Sequence, residues 1–355
     1  MRKYRNRILA GFAIGFMIYL GLLIFINTDD LIKQLETFPW ALLVPVILLK
    51  FGSWFFRFLE WHYYLGVIGA RSKIAVGDSA ALFVAGFTMA VSPGKAAEVL
   101  KSFVLKSKTG VPVAESAPVV IAERVVDGLS VILLAFLALV LAGDALDLGP
   151  YRALIFISAG LLVLGLVAVQ IRPLARFGLS IIARLPLVRR LHRWLSTFYE
   201  SSFEIFKLKH VIPTTGFGIV ASLGDAIGFT IILSGFGVEI TWLVFLQALV
   251  IVCLSAAIGA LSGVPNGAGI TEISVSAMLL LIVAPQNPII TPPIAAAAAL
   301  IEGFFHKWFR VLVGLAVAIV FRHRLFGADF EAVMKLEEQM PHRQQNELGM
   351  KVSGL

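Results

Sequence analysis

The sequence is poor in charge: only 15% of its 355 residues are Asp, Glu, Lys or Arg, whereas about 25% is usual in soluble globular proteins. Hydrophobic residues make up 59% of the chain, and its mean hydropathy is +0.90. This balance excludes a soluble globular domain. Several apolar runs approach the length of about 20 residues that a membrane-spanning helix needs, and they lack the alternating segments of a membrane β-barrel. We therefore expect an all-α polytopic membrane protein.

Cysteine is almost absent as well. The single Cys253 excludes a disulfide framework, a CxxC motif and a cysteine metal site. The sequence contains no HExxH, GxSxG, DxD or GxxxxGK[ST] pattern, which are common signatures of catalytic and nucleotide-binding sites. We therefore expect no metal, no cofactor, no ATP hydrolysis and no enzymatic activity.

Basic residues outnumber acidic residues in this chain, which gives it a net charge of +8. In an apolar chain this excess fits cytoplasmic loops and anionic lipid better than it fits nucleic acid. Arg2, Lys3, Arg5 and Arg7 precede the apolar run 8–26. The run is too long for a cleaved signal, so we expect a retained first helix with a cytoplasmic N-terminus.

The same charge bias predicts one transmembrane domain, 1–327, and a polar cytoplasmic tail, 328–355. Segment 172–210 contains eight Lys or Arg residues, and its apolar residues recur at helical spacing. It is therefore expected to form cytoplasmic amphipathic helices on anionic lipid. Both termini are expected in the cytoplasm of a multi-pass cell-membrane protein.

A second span is predicted from Trp40 to about Arg57. Lys50 lies inside it, and we expect this lysine to be buried against a partner or to snorkel rather than to act in function. Aromatic residues at the end of this span predict an interfacial belt. They are Trp54, Trp61, Tyr63 and Tyr64.

The charge pattern predicts two inverted-topology repeats, about 8–142 and about 154–320. Each contains two spans, a broken or re-entrant helical hairpin and a charged span. The hairpin of residues 75–108 is expected to open to the cytoplasm, and that of residues 243–284 outward. Inverted repeats with broken helices at corresponding positions indicate a transport site at the repeat interface. The matching breaks are Pro93-Gly94 followed by Glu98, and Pro265-Asn266-Gly267 followed by Glu272.

Two motifs within these repeats carry a resemblance to a known family. The run PGKAAEVLKSFVLKSKTGVPVAESAPVVIAERVVDGLSVILLA and the later VPNGAGITE resemble the flippase-like transmembrane domain of the lysylphosphatidylglycerol synthase family over roughly residues 8–325. The resemblance implies movement of an amphiphile, such as an aminoacylated phospholipid or a polyprenyl-linked sugar, between leaflets. Full-length synthases add a soluble aminoacyl-transferase domain, so we do not expect lipid synthesis from this polypeptide. The positions that match the family pattern are Pro93, Gly94, Glu98, Glu123, Arg124, Asp127, Gly267, Gly269 and Glu272.

Movement of a lipid requires a polar route for its headgroup, because unpaired polar groups in hydrocarbon cost several kcal/mol each. Lysines and arginines of the broken segments could hold a phosphate, as could the helix N-termini that follow each break. Acidic residues could bind an amine or carry a coupling proton. The expected substrate-binding residues are Pro93, Gly94, Lys95, Glu98, Lys101, Glu123, Arg124, Asp127, Asn266, Gly267, Gly269, Glu272, Glu302, Lys307 and Arg310.

A purely structural role for these charges stays open. The side chains would then neutralise one another, with Glu98 on Lys101, Arg124 on Glu98 or Asp127, and Glu302 on His306 or Lys307. For Asp225 alone, a structural role is preferred, and His306 is not favoured as a proton carrier.

Two other functions also stay open. One is an intramembrane lipid-modifying enzyme. The other is a non-transporting membrane partner that docks a cytoplasmic lipid-synthesis enzyme through residues 172–210. In every case the expected ligands are membrane lipids, either an anionic phospholipid or a lipid-linked sugar, and no nucleic acid is expected.

Overall fold

A computed structural model of the chain describes residues 28–91, 100–146, 200–262 and 264–326, with the single positions 153, 156, 157, 160 and 164. All regular structure in these residues is helical. The α-helices labelled here are α1 Thr28–Thr37, α2 Leu43–Val67, α3 Val76–Ala85, α4 Leu100–Thr109, α5 Val113–Ala142, α6 Leu208–Gly235, α7 Trp242–Leu261, α8 Ile270–Met278, α9 Pro292–Gly303, α10 Arg310–Val320 and α11 Arg322–Leu325. Short 3-10 or π-helical turns adjoin several of them: Trp40–Leu42, Gly86–Val91, Pro265–Gly267, Leu279–Val283 and Phe304–Phe309.

Five helical stretches within the described residues are long and apolar enough to cross a membrane, which confirms the expected polytopic helical class. They are Trp40–Val67, Val113–Ala142, Leu208–Gly235, Trp242–Leu261 and Pro292–Val320.

Several expected elements lie wholly or largely outside the described residues. They are the first span 8–26, the beginning of the second repeat from residue 154, the basic segment 172–210 up to residue 199, and the tail 328–355.

The first described span runs further than the sequence predicts. Its expected end is near Arg57, but α2 continues to Val67. Trp61 and Tyr64 are buried; the Trp61 indole donates to Ser79 at 3.2 Å, and the Tyr64 hydroxyl shares a 2.9 Å hydrogen bond with Thr214. These two aromatic residues therefore anchor α2 to α3 and α6. Their assignment to an interfacial belt is wrong, because neighbouring helices cover this end of α2.

Two apolar clusters form the core, and α2 passes through both. Leu43 and Val46 belong to the larger cluster, while Trp61, Tyr64 and Leu65 belong to the smaller one. Between these two groups of α2 residues lies a polar stretch at helical spacing, made of Lys50, Ser53, Arg57 and Glu60. Along α2, this polar stretch is therefore flanked at both ends by residues of the apolar core.

Both predicted broken hairpins contain short helices. In the first, α3 and α4 have 10 residues each, about half the length needed to span. In the second, α8 has nine residues and follows a turn in which Asn266, Gly267 and Gly269 have φ of 54°, 63° and 81°. Side chains with a Cβ rarely adopt this left-handed region, which explains the glycines of the NGAG sequence.

Candidate functional site

A buried ionic triad joins three of the spans. Lys50 Nζ on α2 lies 3.0 Å from Asp225 Oδ1 on α6 and 3.0 Å from Glu302 Oε1 on α9. All three side chains are buried, and Ser53 Oγ adds a 3.3 Å hydrogen bond to Asp225 Oδ2. Lys50 is therefore buried against partners, as the sequence suggests, and it does not snorkel.

Glu302 has an additional neighbour in the π-helical turn that follows α9. His306 Nδ1 lies 3.6 Å from Glu302 Oε1, so the expected contact between these two residues is present. Because Lys50 is also bound to Glu302, the histidine is a second partner of this carboxylate. Lys307, the other partner considered for Glu302, pairs elsewhere.

A second buried ion pair lies at the start of α8. Glu272 accepts a 2.8 Å hydrogen bond from the Gly269 backbone N–H and forms an ion pair with Lys307 of the final span. Lys307 also donates to the Thr271 hydroxyl. A Cβ at Gly303 would lie 2.3 Å from Glu272 Oε1, so the missing side chain there makes room for the carboxylate. The broken segment and the charged final span therefore meet at this pair.

The first half of the chain contains a comparable pair. Lys101 Nζ on α4 lies 3.0 Å from Glu123 Oε2 on α5, and both side chains are buried. The same ammonium lies 4.8 Å from the ring centre of Trp61 and 5.4 Å from that of Phe83, within the range of cation–π attraction. A Cβ at Gly86 would lie 2.5 Å from Lys101 Cε, so glycine makes room for the charged side chain here as well.

Three arginines lie between the two pairs. Arg57 of α2 forms an ion pair with Asp127, and Arg124 lies 3.1 Å from the same carboxylate. The expected contact between Arg124 and Asp127 is therefore present. In the second half, Arg310 donates to the Asn266 side-chain oxygen at 3.1 Å.

These groups surround a cavity of about 390 Å³. All five candidate spans contribute to its walls. The charged part of the lining has four cations and two carboxylates: Arg57, Arg124, Lys307, Arg310, Asp127 and Asp225. The apolar part of the lining comes largely from α7, including Val252, Ala256, Ala257 and Ala260. The cavity therefore combines a positive polar wall with an apolar wall.

The structure brings most of the described candidate residues to this region. Those that line the cavity are Arg124, Asp127, Asn266, Gly267, Lys307 and Arg310. Lys101 and Glu123 instead line a small neighbouring chamber, while Glu272 and Glu302 line another. The first break falls outside the described residues, so the structure provides no position for Pro93, Gly94, Lys95 or Glu98.

Comparison with protein-family models assigns the chain to a known family. The family model for the lysylphosphatidylglycerol synthase TM region matches residues 8–314. The chain belongs to this family. Every residue that lines the main cavity falls within the match. No curated protein and no solved structure matches the chain. Membership of the lysylphosphatidylglycerol synthase TM family is consistent with a function that concerns membrane lipids.

Two residues of this family member were missed as site candidates. Arg57 lines the cavity, and Glu60 lines the chamber beside Lys101. Both follow Lys50 on one face of α2 at steps of seven and three residues. That polar stripe inside an apolar helix was the available signal. It was overlooked because the expected end of the span near Arg57 assigned these residues to the membrane surface.

Proposed function

We propose that the protein moves a phospholipid, or a polyprenyl-linked or glycolipid precursor, between the two leaflets of the membrane. The observation that carries this proposal is the cavity of about 390 Å³ with a cationic wall and an apolar wall, at the junction of five candidate spans. Its volume falls in the range of roughly 300 to 1,000 Å³ typical of small-molecule sites.

The two walls suit the two parts of a lipid. A phosphate that leaves water needs charge-assisted hydrogen bonds in place of its hydration. Arg124, Lys307 and Arg310 line the cavity and can supply such bonds. The alanines of α7 offer an apolar surface to the glycerol and the first methylene groups. The acyl or polyprenyl chains would stay in the surrounding hydrocarbon while only the headgroup enters the cavity.

We also propose that the two halves of the chain are inverted repeats and that the cavity lies at their interface. Support comes from the placement of the ion pairs. Each half has one pair between a short hairpin helix and a charged span, namely Lys101–Glu123 and Glu272–Lys307. In inverted-repeat transporters the substrate site lies between the repeats, near the centre of the membrane.

The chain acts as a transporter rather than as an enzyme, in the cell membrane with both termini in the cytoplasm. The basic segment 172–210 is the surface on which a cytoplasmic lipid-synthesis enzyme would dock. Its eight Lys or Arg residues would also hold it against anionic headgroups.

The direct test is movement of a labelled lipid in liposomes that contain the purified protein. Dithionite added outside quenches only the label in the outer leaflet, so protein-dependent loss of the protected inner fraction measures transport. Labelled phosphatidylglycerol is expected to move faster than labelled phosphatidylcholine. Arg124→Gln and Arg310→Gln should each slow it on the order of tenfold, because each removes a charged phosphate contact worth about 1.4 kcal/mol. Arg322→Gln, at an exposed position beyond the last span, is the matched control.

Equal rates with and without protein would contradict the proposal. Rates in the two cavity variants that match the control would show that the cavity is not the route. Chromatography of the recovered lipid distinguishes the rival function, since a modified lipid without a change of leaflet would indicate an intramembrane enzyme.

A further inference from the structure

Beside the main cavity lies a chamber of about 40 Å³ whose lining includes the carboxyl group of Glu60 on α2. Glu60 is only 2% exposed, and no hydrogen bond or ion pair joins it to any other described residue. The chamber exceeds the roughly 10 to 15 Å³ that one water molecule requires. The chamber can therefore hold water beside the buried Glu60.

The chamber and the main cavity share part of their lining. Arg57, Arg124, Asp127 and Arg310 line both. A headgroup held by these arginines would consequently alter the electrostatic surroundings of Glu60 without having to touch it. Such an effect acts over several ångströms, because charges interact more strongly near a buried group than they do in bulk water.

Among the described residues, the charged groups that line the chamber with Glu60 come from four helices. α2 contributes Arg57, α4 contributes Lys101, α5 contributes Glu123, Arg124 and Asp127, and α10 contributes Arg310. The part of the lining from α3 and the turn after it is uncharged, consisting of Phe83, Gly86 and Phe87.

The balance of these charges changes when an anion arrives. Apart from Glu60, the described residues that line the chamber include four cations and two carboxylates. Burial without a hydrogen bond favours the neutral acid of Glu60, and the excess positive charge partly offsets this preference. A phosphate in the main cavity would neutralise part of that excess and so favour the neutral acid further.

We propose that Glu60 is a proton-binding site coupled to the headgroup, so that binding of an anionic lipid is accompanied by uptake of a proton at the Glu60 carboxylate. This inference rests on the proposed function, and it gives that function a direct link to pH. The proton comes from water, and the carboxylate becomes a neutral carboxylic acid. By linkage, the lipid binds more tightly as the pH falls.

The test measures protons and lipid together. A short-chain phosphatidylglycerol, whose phosphodiester stays ionised, is titrated into the detergent-solubilised protein by calorimetry in two buffers of different ionisation enthalpy. The difference in heat gives the number of protons taken up per lipid. At alkaline pH, where the Glu60 carboxylate is populated, we expect the wild-type protein to take up as much as one proton per lipid, and its affinity to rise by up to about tenfold for each unit of decreasing pH.

Glu60→Gln should keep the affinity for the lipid but abolish proton uptake and make binding independent of pH, because the amide imitates the neutral acid. Glu36→Gln, the same change at an exposed position on α1, should behave as the wild type. Proton uptake that persists in Glu60→Gln would assign the proton to another group and overturn the inference. Lipid binding without proton uptake in the wild type would overturn the inference but leave the proposed function intact. No lipid binding at all would overturn the proposed function and the inference with it.

Discussion

The ion pairs of the two halves use the same kinds of residue in opposite places. In the first half the short helix α4 provides the cation, Lys101, and the long helix α5 provides the carboxylate, Glu123. In the second half the short helix α8 provides Glu272 and the final candidate span provides Lys307. The residues also differ in what they face, since Lys307 lines the main cavity, whereas Lys101 lies over aromatic rings in the side chamber.

This difference separates two roles that the sequence alone would treat alike. An ammonium enclosed by a carboxylate and aromatic rings is fully engaged within the fold, which favours a structural role for the Lys101–Glu123 pair. An ammonium at the wall of a cavity can exchange part of its contacts for those of a headgroup. The Glu272–Lys307 pair is therefore the half of the comparison that we expect to act in transport.

The largest expected effect concerns the triad that joins the halves. Lys50→Met would leave Asp225 and Glu302 buried without their shared ammonium, and loss of one partner from a buried ion pair costs about 3 to 5 kcal/mol. Thermal unfolding in detergent should show this as a large fall in the transition temperature. Lys33→Met is the matched control, because the Lys33 side chain is 71% exposed and its 3.7 Å pair with Asp30 should contribute less than about 1 kcal/mol. Similar transition temperatures for the two variants would show that the triad does not hold the spans together.

The next largest effect is expected from double variants that remove both charges of one ion pair, since they separate a loss of stability from a loss of transport. Lys101→Met with Glu123→Gln should recover most of the stability lost in Lys101→Met alone and should transport lipid at nearly the wild-type rate. Lys307→Met with Glu272→Gln should also recover stability, yet transport should stay lower on the order of tenfold, or about 1.4 kcal/mol. Thermal unfolding in detergent and leaflet assays in liposomes measure the two properties. Equal transport rates for the two double variants would contradict the assignment of transport to one pair and of a structural role to the other.

A smaller effect is expected at the two glycines that make room for these pairs. Gly303→Ala places a Cβ against Glu272, which is held by Lys307 and the Gly269 N–H, and such overpacking typically costs about 1 to 3 kcal/mol. Gly86→Ala should cost less, because its Cβ meets the end of the long Lys101 side chain. Gly77→Ala, with nothing within 4 Å of the added Cβ, should be neutral or stabilising. Thermal unfolding checks this order, and the reverse order would contradict the packing described at the two pairs.

Much of the architecture follows from hydropathy and charge alone. The second predicted span begins at Trp40 as expected, and the polytopic helical class is confirmed by five helical stretches of sufficient length and hydropathy. Hydrocarbon permits few alternatives to a helix with all its backbone hydrogen bonds satisfied internally, so these predictions are robust. The end of α2 was misplaced because Trp and Tyr favour both interfaces and buried contacts, and only the tertiary structure distinguishes the two.

The sequence shows which spans contain charged residues, but the ion-pair partner of each charged residue was harder to predict. Glu123 and Glu302 occupy similar places in the sequence pattern, but Glu123 binds Lys101 and Glu302 binds Lys50. A pairing between residues 252 positions apart leaves no local trace in the sequence. The i to i+3 contact of Arg124 with Asp127 was predicted because helical geometry alone brings the two side chains together.

The central claim is that a water-accessible, positively charged cavity lies within the membrane domain, and thiol labelling tests it most directly. In a Cys253→Ser background, Ala256→Cys introduces a thiol at the cavity wall, and Ile258→Cys introduces one on the outer face of α7, where Ile258 is 42% exposed. We predict that Ala256→Cys reacts with a small sulfonate reagent about tenfold or more faster than with an ammonium reagent of the same size. Phosphatidylglycerol should slow this reaction, and Ile258→Cys should show neither effect. An Ala256→Cys thiol that reacts with neither reagent, or with both at equal rates, would contradict the claim of a cationic, water-accessible cavity.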